Sequence, residues 1–319
     1  PPRGHPRTHV TQRMGRHRSL RSRAVPADTG PSSGGDPTSR PHEVPRRELL
    51  ERLRGRWEVA VTTVVAPGGF GKTTLLHQSS EADGSWFGRE HSVTCSILSR
   101  EVESFAPMIA RAIGAPAPGP AIGTAPHSET ILATLAAWSP QRVCVVLDDV
   151  HHLGSSGTGV DLLAHLVRHL PANAHLVLAG RELPPLPLTR LRAAGQLLEF
   201  DEVDLLFRPE ELAEMAARNG TDSSAFGDRP GWPALIRLAL AADADAPLEF
   251  LREEVLSSLS VAHRHGVAAS LLAGGADDRL LEAVAEGLPA RDLAANVPLV
   301  DLRNGRAVAH ALWSEVADR

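Results

Sequence analysis

Apolar residues in this chain recur in continuous runs, and those runs predict the strands of a parallel sheet. Residues 59–66 (VAVTTVVA) are apolar or β-branched at every position, which is typical of a strand buried on both faces. Further strands are predicted at 92–98, 142–147, 175–179 and 197–200. A helical pattern at 48–54 precedes the first strand, and further helical patterns separate the strands at 73–79, 104–113, 128–138 and 160–170. This alternation predicts an α/β fold with a doubly wound parallel sheet.

Beyond residue 207 the strand pattern gives way to short helices. Pro209 opens a helix with two glutamates in its first turn, where negative charge is favourable, and a second helix follows Gly231-Trp232-Pro233. Further helices are predicted at 248–259, 277–286 and 289–295. A hairpin with strands 299–303 and 307–309 is predicted as well, because Asn304-Gly305 is a strong hairpin turn signal. Helices followed by a small hairpin indicate a winged helix.

Composition places the chain among soluble globular proteins of two or three domains. It has 319 residues, of which 42% are hydrophobic and 22% charged. No apolar run approaches the roughly 20 residues that a membrane span needs. Cys95 and Cys144 lie in apolar runs without metal-ligand spacing, so we expect buried thiols in a reducing cytoplasm. The Pro- and Gly-rich stretch 114–126 is expected to be a surface loop.

Charge is concentrated at the N-terminus. Residues 1–45 hold eight arginines and three acidic residues, a net charge of about +5, among many Pro, Ser and Gly. Such a segment buries too little apolar surface to fold. It is either a nucleic-acid-binding arm or a solvated tail, and we favour the tail. The remaining chain then carries about −10 and is a poor non-specific DNA binder.

The one lysine of the chain lies in a glycine-rich stretch. Lys72 follows Ala66-Pro67-Gly68-Gly69-Phe70-Gly71 and precedes Thr73-Thr74, whereas the other 32 basic residues are arginines. The stretch has a predicted strand before it and a helix after it, which is the setting of a phosphate-binding loop (P-loop). Gly69 and Gly71 can present backbone amides to phosphate, Lys72 can reach the terminal phosphates, and Thr73 can ligate Mg²⁺. Ala66 replaces the first glycine of the general pattern.

Two carboxylates end a second buried run. In residues 143–149 (VCVVLDD), Asp148 is placed to reach the Mg²⁺ shell, and Asp149 to orient or deprotonate the attacking water. The alternative is an ordinary turn after a strand, where Asp is common. The P-loop some seventy residues earlier favours the catalytic interpretation.

Other polar residues are weaker candidates. Arg181 follows the strand at 175–179, where it is either a sensor of the γ-phosphate or a solvated loop arginine. His165 and His169 share a helix face, but neither the glutamate of a zincin motif nor a nearby cysteine accompanies them, so we reject a zinc site. His151 and His152 follow the acidic pair and contact either nucleotide or nothing.

Several blocks, in consistent order from about residue 44, resemble the MalT-like, LuxR-associated group of large ATP-binding transcriptional regulators, within the STAND class of P-loop NTPases. The blocks are VPR at 44–46, APGGFGKTT, VCVVLDDVHHL, AGRELPPLPLTRLRAAGQLLEF, DLLFRPEE, GWPALIRLAL and HALW at 310–313. The resemblance implies a nucleotide-binding domain at 44–207, a small helical domain at 208–246 and a winged-helix domain at 247–319, after a disordered tail at 1–43. It also implies that ATP or ADP is held between these three domains.

The resemblance assigns further residues to the nucleotide. Arg46 would lie by the base, Pro233 would pack on the adenosine, and His310 would read the β-phosphate of ADP. Residues Gly69 to Thr74 would surround the phosphates, with Asp148 at Mg²⁺. The stretch 93–104 (VTCSILSREVES) departs from the family because it lacks the Trp and Asp that other members tend to place there.

Partners follow from the same resemblance. The ATP form would self-associate, and sensor repeats and a DNA-binding domain would lie C-terminal to this chain, which is expected to be a fragment. Residues 248–319 hold eleven acidic residues against seven arginines, so the predicted winged helix is expected to sense nucleotide and not to bind DNA.

Three functional hypotheses remain. The first is a signal-responsive switch that exchanges ADP for ATP and hydrolyses ATP slowly. The second is a working AAA+-type ATPase that acts as a remodeller or loader, with an arginine finger supplied in trans. The third, a degenerate scaffold, is disfavoured by the intact Lys72, Thr73, Asp148 and Asp149.

Overall fold

The computed structural model describes residues 43–83, 87–116, 124–226, 231–240 and 245–317, all within the unit formed by residues 38–319. The expected tail at 1–43 lies outside the described residues except for Glu43. Residues 117–123 of the expected surface loop lie outside them too, and residues 124–126 already belong to a helix.

Five parallel strands form the central sheet, in the order β2-β3-β4-β1-β5. Their bounds are β1 (Val61–Val65), β2 (Arg89–Thr94), β3 (Val143–Asp148), β4 (Ala174–Gly180) and β5 (Leu197–Phe200). The register pairs Val65 with Gly180 and Leu147 with Leu178. The carboxyl ends of β1, β4 and β3 therefore meet at one edge of the sheet, and β4 lies between the other two.

Strand β3, in the interior of the sheet, is apolar up to Asp148 because both faces of the sheet are covered, whereas the edge strand β2 (REHSVT) is mostly polar. In β3, Val143, Val145 and Leu147 belong to one hydrophobic cluster, whereas Cys144 and Val146 belong to the other. Helices α3 (Val102–Ala112), α4 (Thr124–Ala137) and α5 (Thr158–His169) pack on the first face. Helices α1 (Arg47–Arg54) and α2 (Lys72–Asp83) pack on the second. The predicted α/β parallel sheet is thereby confirmed.

The chain after β5 is built of short helices and one hairpin. Helix α6 (Thr189–Ala193) still precedes β5. The helices that follow β5 are α7 (Glu202–Leu205), α8 (Pro209–Arg218), α9 (Pro233–Ala239), α10 (Ala246–Phe250), α11 (Val261–Ala273), α12 (Asp278–Val284), α13 (Ala290–Asn296) and α14 (Ala311–Ala317). A π-helical turn, Leu251–Val255, and a 3-10 turn, Leu256–Ser258, continue α10. Strands β6 (Val300–Arg303) and β7 (Arg306–Ala309) pair antiparallel, and Ala276 bridges to Ala307.

This C-terminal part shares a core with the second face of the sheet. Trp232, Leu251 and Trp313 belong to the same buried cluster as Val64 of β1 and Leu75 of α2. The helices that follow β5 are therefore packed against the same layer that carries the P-loop helix.

Local structure differs from the prediction at several places: helices α6, α7 and α14 were not predicted, and the helix predicted at 248–259 is divided into α10 and the two turns that continue it. Two further differences have a clear physical reason. The strand predicted at 92–98 ends at Thr94, and Ile97–Arg100 forms a 3-10 turn in which Ile97 and Leu98 are 64% and 67% exposed. Ser96 and Ser99 cap that turn reciprocally, which stops the strand. Helix α11 was not predicted at all. Gly266 lies within it and packs against Leu293, so a residue that disfavours helices in isolation is used there for close contact.

Among the described residues, no helix has the length and apolar character needed to cross a membrane.

Candidate functional site

The P-loop connects β1 to α2 and depends on two glycines. Gly69 and Gly71 have φ of 78° and 80°, in the left-handed region that glycine adopts without strain. A Cβ on Gly69 would lie 2.6 Å from both Ala234 Cβ and the ring of Phe250. Gly69 is thus fixed by backbone conformation and by the close approach of the C-terminal helices.

Lys72 begins α2 and folds back over the loop. Its Nζ donates to the carbonyl oxygens of Ala66 at 2.7 Å and Pro67 at 2.8 Å, and the residue is only 8% exposed. Burial lowers the pKa of Lys72 to about 8, against the raising effect of Asp148. A buried cation with a depressed pKa gains stability when an anion binds beside it. Lys72 is therefore poised for phosphate.

Thr73 and Asp148 meet where β3 ends. The Thr73 hydroxyl donates to Asp148 Oδ2 at 2.7 Å, and Asp148 Oδ1 accepts from the backbone N–H of Asp149 at 2.9 Å. A hydroxyl and a carboxylate are oxygen ligands of the kind that Mg²⁺ takes, alongside phosphate oxygens and water. No group of three or more His, Cys, Asp or Glu side chains within the described ranges could hold a metal ion without other ligands. The residues present fit a magnesium ion shared with a nucleotide.

Asp149 and Arg181 line the same edge of the sheet. Asp149 has φ 57° and ψ 36°, a left-handed conformation that Asp tolerates, and its Oδ1 lies 3.9 Å from His151 Nδ1. Burial, followed by the charge of His152, lowers the pKa of His151, which is therefore neutral at pH 7. Arg181 follows β4 and donates from Nη2 to Glu254 Oε2 at 2.9 Å, with both side chains nearly half exposed.

Two cavities flank the P-loop. The smaller, about 200 Å³, is lined by Gly71 and Thr74 and by Arg46, Gln78 and Pro233. The larger, about 450 Å³, is lined by Gly68 and by Arg181, His151, Glu254 and His263. The glycine-rich loop thus lies between a cavity on the side of α2 and a second cavity on the side of Arg181 and Glu254.

The structure brings Arg46 and Pro233 to the smaller cavity. Pro233 begins α9, and its ring lies 3.8 Å from the position of a Cβ on Gly71. The Arg46 guanidinium is engaged elsewhere, because Nε donates to Glu211 at 2.9 Å and Nη1 to the Leu205 carbonyl at 3.0 Å. Arg46 therefore forms a wall of the cavity through a side chain that is already paired.

His310, which the resemblance assigns to the β-phosphate of ADP, lies in the C-terminal part of the chain. It lies between β7 and α14, and its Nδ1 accepts from the backbone N–H of Leu312 at 3.2 Å. It is not among the described residues that line either cavity at the P-loop. His263 of α11 lines the larger cavity instead, with its Nδ1 2.7 Å from Ser260 Oγ.

Three site residues were missed by sequence reasoning. Trp232 stacks on Phe70 of the P-loop with ring centroids 4.8 Å apart, Gln78 reaches the smaller cavity, and Glu254 holds Arg181. The block GWPALIRLAL was a signal for Trp232. No sequence pattern around Gln78 or Glu254 indicates a role for them, because each forms its hydrogen bond with a residue at least 32 positions away.

The comparisons with known proteins agree with this geometry. A family model described as an AAA domain matches residues 58–183, which is less than half of the chain. Among solved structures, the chain is similar to the ORC2 protein of Aeropyrum pernix in ADPNP-ADP complexes. The two are 16% identical with a TM-score of 0.51, over 88% of this chain and 95% of that one. This likeness shows the fold.

Two further structures align less closely. Cdc6p from Pyrobaculum aerophilum is 18% identical with a TM-score of 0.43, over 88% of this chain and 95% of that one. A STAND protein with a tetratricopeptide repeat sensor from Pyrococcus horikoshii is 14% identical with a TM-score of 0.41. That alignment covers 88% of this chain and 44% of the other.

Proposed function

We propose that this protein binds ATP and ADP with Mg²⁺ and works as a nucleotide-dependent switch. The phosphates lie on the backbone of residues 69–74 with Lys72 beside them, and the adenosine enters the cavity walled by Pro233 and Arg46. Thr73 and Asp148 hold the Mg²⁺, whose chemistry is to neutralise phosphate charge. Support comes from the AAA-type domain at residues 58–183 and from the fit of these side chains to nucleotide.

The observation that carries the switch is the contact between the P-loop and the helices after β5. The backbone N–H of Ala234 donates to the Gly69 carbonyl at 3.0 Å, and Phe250 packs on Gly69. On the other side of the loop, Glu254 pairs with Arg181 beside Gly68. In this proposal the nucleotide and the C-terminal helices therefore contact the same loop. Binding of nucleotide then changes the free energy with which those helices pack against the loop.

Hydrolysis in this proposal is slow and resets the switch. Asp149 orients or deprotonates the attacking water, and Arg181 stabilises charge on the γ-phosphate. Arg181 can do so only after it leaves Glu254, and that requirement favours retention of nucleotide over rapid turnover. His310 would report on the ADP state indirectly, through α14, because it lies outside both cavities.

We further propose that the switch belongs to a signal-responsive transcriptional regulator of the MalT-like group. Supporting features are the order of the sequence blocks and the sequence of elements α11–α13, β6 and β7, which suits a winged helix at 247–319 after a small helical domain at 208–246. The excess of acidic residues in 248–319 supports a sensing role there instead of DNA binding. In this proposal the ATP form self-associates.

The purified protein tests the proposal directly. We expect it to retain ADP, to release it slowly, and to hydrolyse ATP at a rate no faster than that release. Lys72→Ala should abolish nucleotide binding, and Asp149→Ala should preserve binding but slow hydrolysis. Unchanged ADP affinity of Lys72→Ala in calorimetry would refute the site itself. Fast turnover with weakly held ADP would leave the site but refute the switch.

A second candidate, an AAA+-type remodeller or loader, is favoured by the match to the AAA family model. It predicts turnover that DNA or a protein partner stimulates, and an arginine donated by a neighbouring subunit. Mixing Lys72→Ala and Arg181→Ala proteins separates the two functions. Restored hydrolysis in the mixture would indicate that subunits complete each other's sites.

A further inference from the structure

Gln78 makes a pair of hydrogen bonds at the wall of the smaller cavity. It lies on α2, and its Nε2 donates to the Val44 carbonyl at 3.2 Å while its Oε1 accepts from the Arg46 N–H at 3.3 Å. Pro45, between the two, has no N–H. One planar carboxamide thus engages the carbonyl of residue 44 and the amide of residue 46, which face the same side of the chain.

These bonds are not what holds the segment 44–46 in place. Val44 is 3% exposed and packs with Met215 and other residues of a separate hydrophobic cluster. The Arg46 guanidinium is fixed by Glu211 and by the Leu205 carbonyl. Both Gln78 bonds are at or beyond the long end of the normal range. The two backbone groups would therefore keep their positions if the carboxamide left.

Adenine carries the same chemical edge as a carboxamide. Its N6 amino donor and N1 acceptor are attached to a single carbon, as are the Nε2 and Oε1 of glutamine. Guanine places an acceptor at O6 and a donor at N1, so in the same orientation both of its groups would meet like groups of the backbone. With phosphates anchored on the P-loop, the base cannot turn over to correct this.

We infer that the Gln78 carboxamide competes with the edge of adenine for two backbone groups, the Val44 carbonyl and the Arg46 N–H. Val44, Arg46 and Gln78 line one cavity of about 200 Å³ next to Gly71 and Thr74, so base and carboxamide cannot both engage the two backbone groups. Adenine displaces Gln78, and the free energy of the two lost Gln78 hydrogen bonds reduces the favourable free energy of nucleotide binding. This inference rests on the proposed function, because it deepens the adenosine site described there.

Gln78→Leu tests the inference, with Gln78→Met as a second variant if leucine disturbs folding. Removing the carboxamide should raise ADP affinity roughly three- to tenfold, the range expected from losing about one net hydrogen bond of competition. Purine riboside 5′-diphosphate, which lacks the 6-amino group, should gain less. His77→Leu is the matched control, since His77 is the exposed neighbour on the same helix. Calorimetry and a thermal melt are run on all proteins.

The outcomes separate the inference from the function on which it rests. A lower ADP affinity in Gln78→Leu would overturn the inference, because Gln78 would then be a positioning residue for the cavity wall. An equal gain for both diphosphates would overturn it too, because the 6-amino group would play no part. If the wild-type protein binds no ADP, the proposed function fails first.

Discussion

Lys72 should make nucleotide affinity depend on pH just above neutrality. Burial lowers the pKa of its ammonium from 10.5 to about 8. Bound phosphates favour the charged form and hold the proton to higher pH. Above pH 8 the complex must therefore take up a proton that the free protein has lost. The contribution of Lys72 to affinity is accordingly nearly complete at pH 7 and is lost as the pH rises through 8.

The size of the effect follows from the same pKa. At pH 9, about one tenth of the free protein still carries the Lys72 proton if its pKa is about 8. The Kd for ADP should then be about tenfold higher than at pH 7, equivalent to about 1.4 kcal/mol. Neighbouring groups do not mask this change. The pKa of Cys95 is raised to about 12, and that of His151 is lowered from its usual value, so neither thiol nor imidazole titrates in this window.

Isothermal calorimetry in two buffers of different ionisation heat measures both the affinity and the proton uptake. Lys72→Arg is the control, since a guanidinium stays charged throughout this range. It is expected to bind ADP more weakly, because arginine replaces a compact charge, but without pH dependence. Equally flat affinity from pH 7 to 9 in wild type and Lys72→Arg would refute the reasoning about burial.

Two further predictions concern the contacts around the P-loop. Glu254→Gln should free Arg181 and raise ATP affinity relative to ADP by about two- to fivefold, because a half-exposed ion pair is worth under about 1 kcal/mol. Glu253→Gln makes the same charge change one residue away, and an identical ATP-to-ADP ratio in both variants would contradict the role of the pair. Gly69→Ala should abolish nucleotide binding and cost about 1–3 kcal/mol of stability, because its φ is 78° and a Cβ would meet the C-terminal helices at 2.6 Å. Gly68→Ala, whose Cβ would have no neighbour closer than 3.5 Å, should melt within a few degrees of wild type.

The parts of the structure that could be predicted are those in which the residues of one short segment determine its backbone conformation and its burial. Residues 143–148 are apolar at every position before Asp148, and all six are buried in β3. Asn304 and Gly305 have φ of 51° and 76°, so the Asn-Gly pair makes the hairpin turn that it indicated. In both cases the chemistry of neighbouring residues fixes the backbone without help from distant ones.

The parts that were not predictable depend on distant partners. Whether His310 or His263 faces the larger cavity is set by how α11 and the hairpin pack, since Ser270 of α11 bonds to the Ala307 carbonyl at 2.8 Å. No periodicity in either segment records that packing. Ile97 and Leu98 illustrate the converse, because apolar residues after a strand predict its continuation while a serine-capped turn carries them to the surface.

Aromatic side chains connect the P-loop to the C-terminal helices. Phe70 lies between the two glycines of positive φ, and Trp232 stacks on it and meets the Phe250 ring edge-on with centroids 5.7 Å apart. Because closely packed interiors do not deform continuously, a phosphate that shifts Phe70 must also shift Trp232 and α10. The segment that follows α10 is a π-helical turn, Leu251–Val255, and such turns are frequent at functional sites. That turn carries Glu254, so a movement begun at the loop would change the distance between Glu254 and Arg181. The two sides of the P-loop would then respond to nucleotide together, which is what a switch requires and what a simple binding site does not.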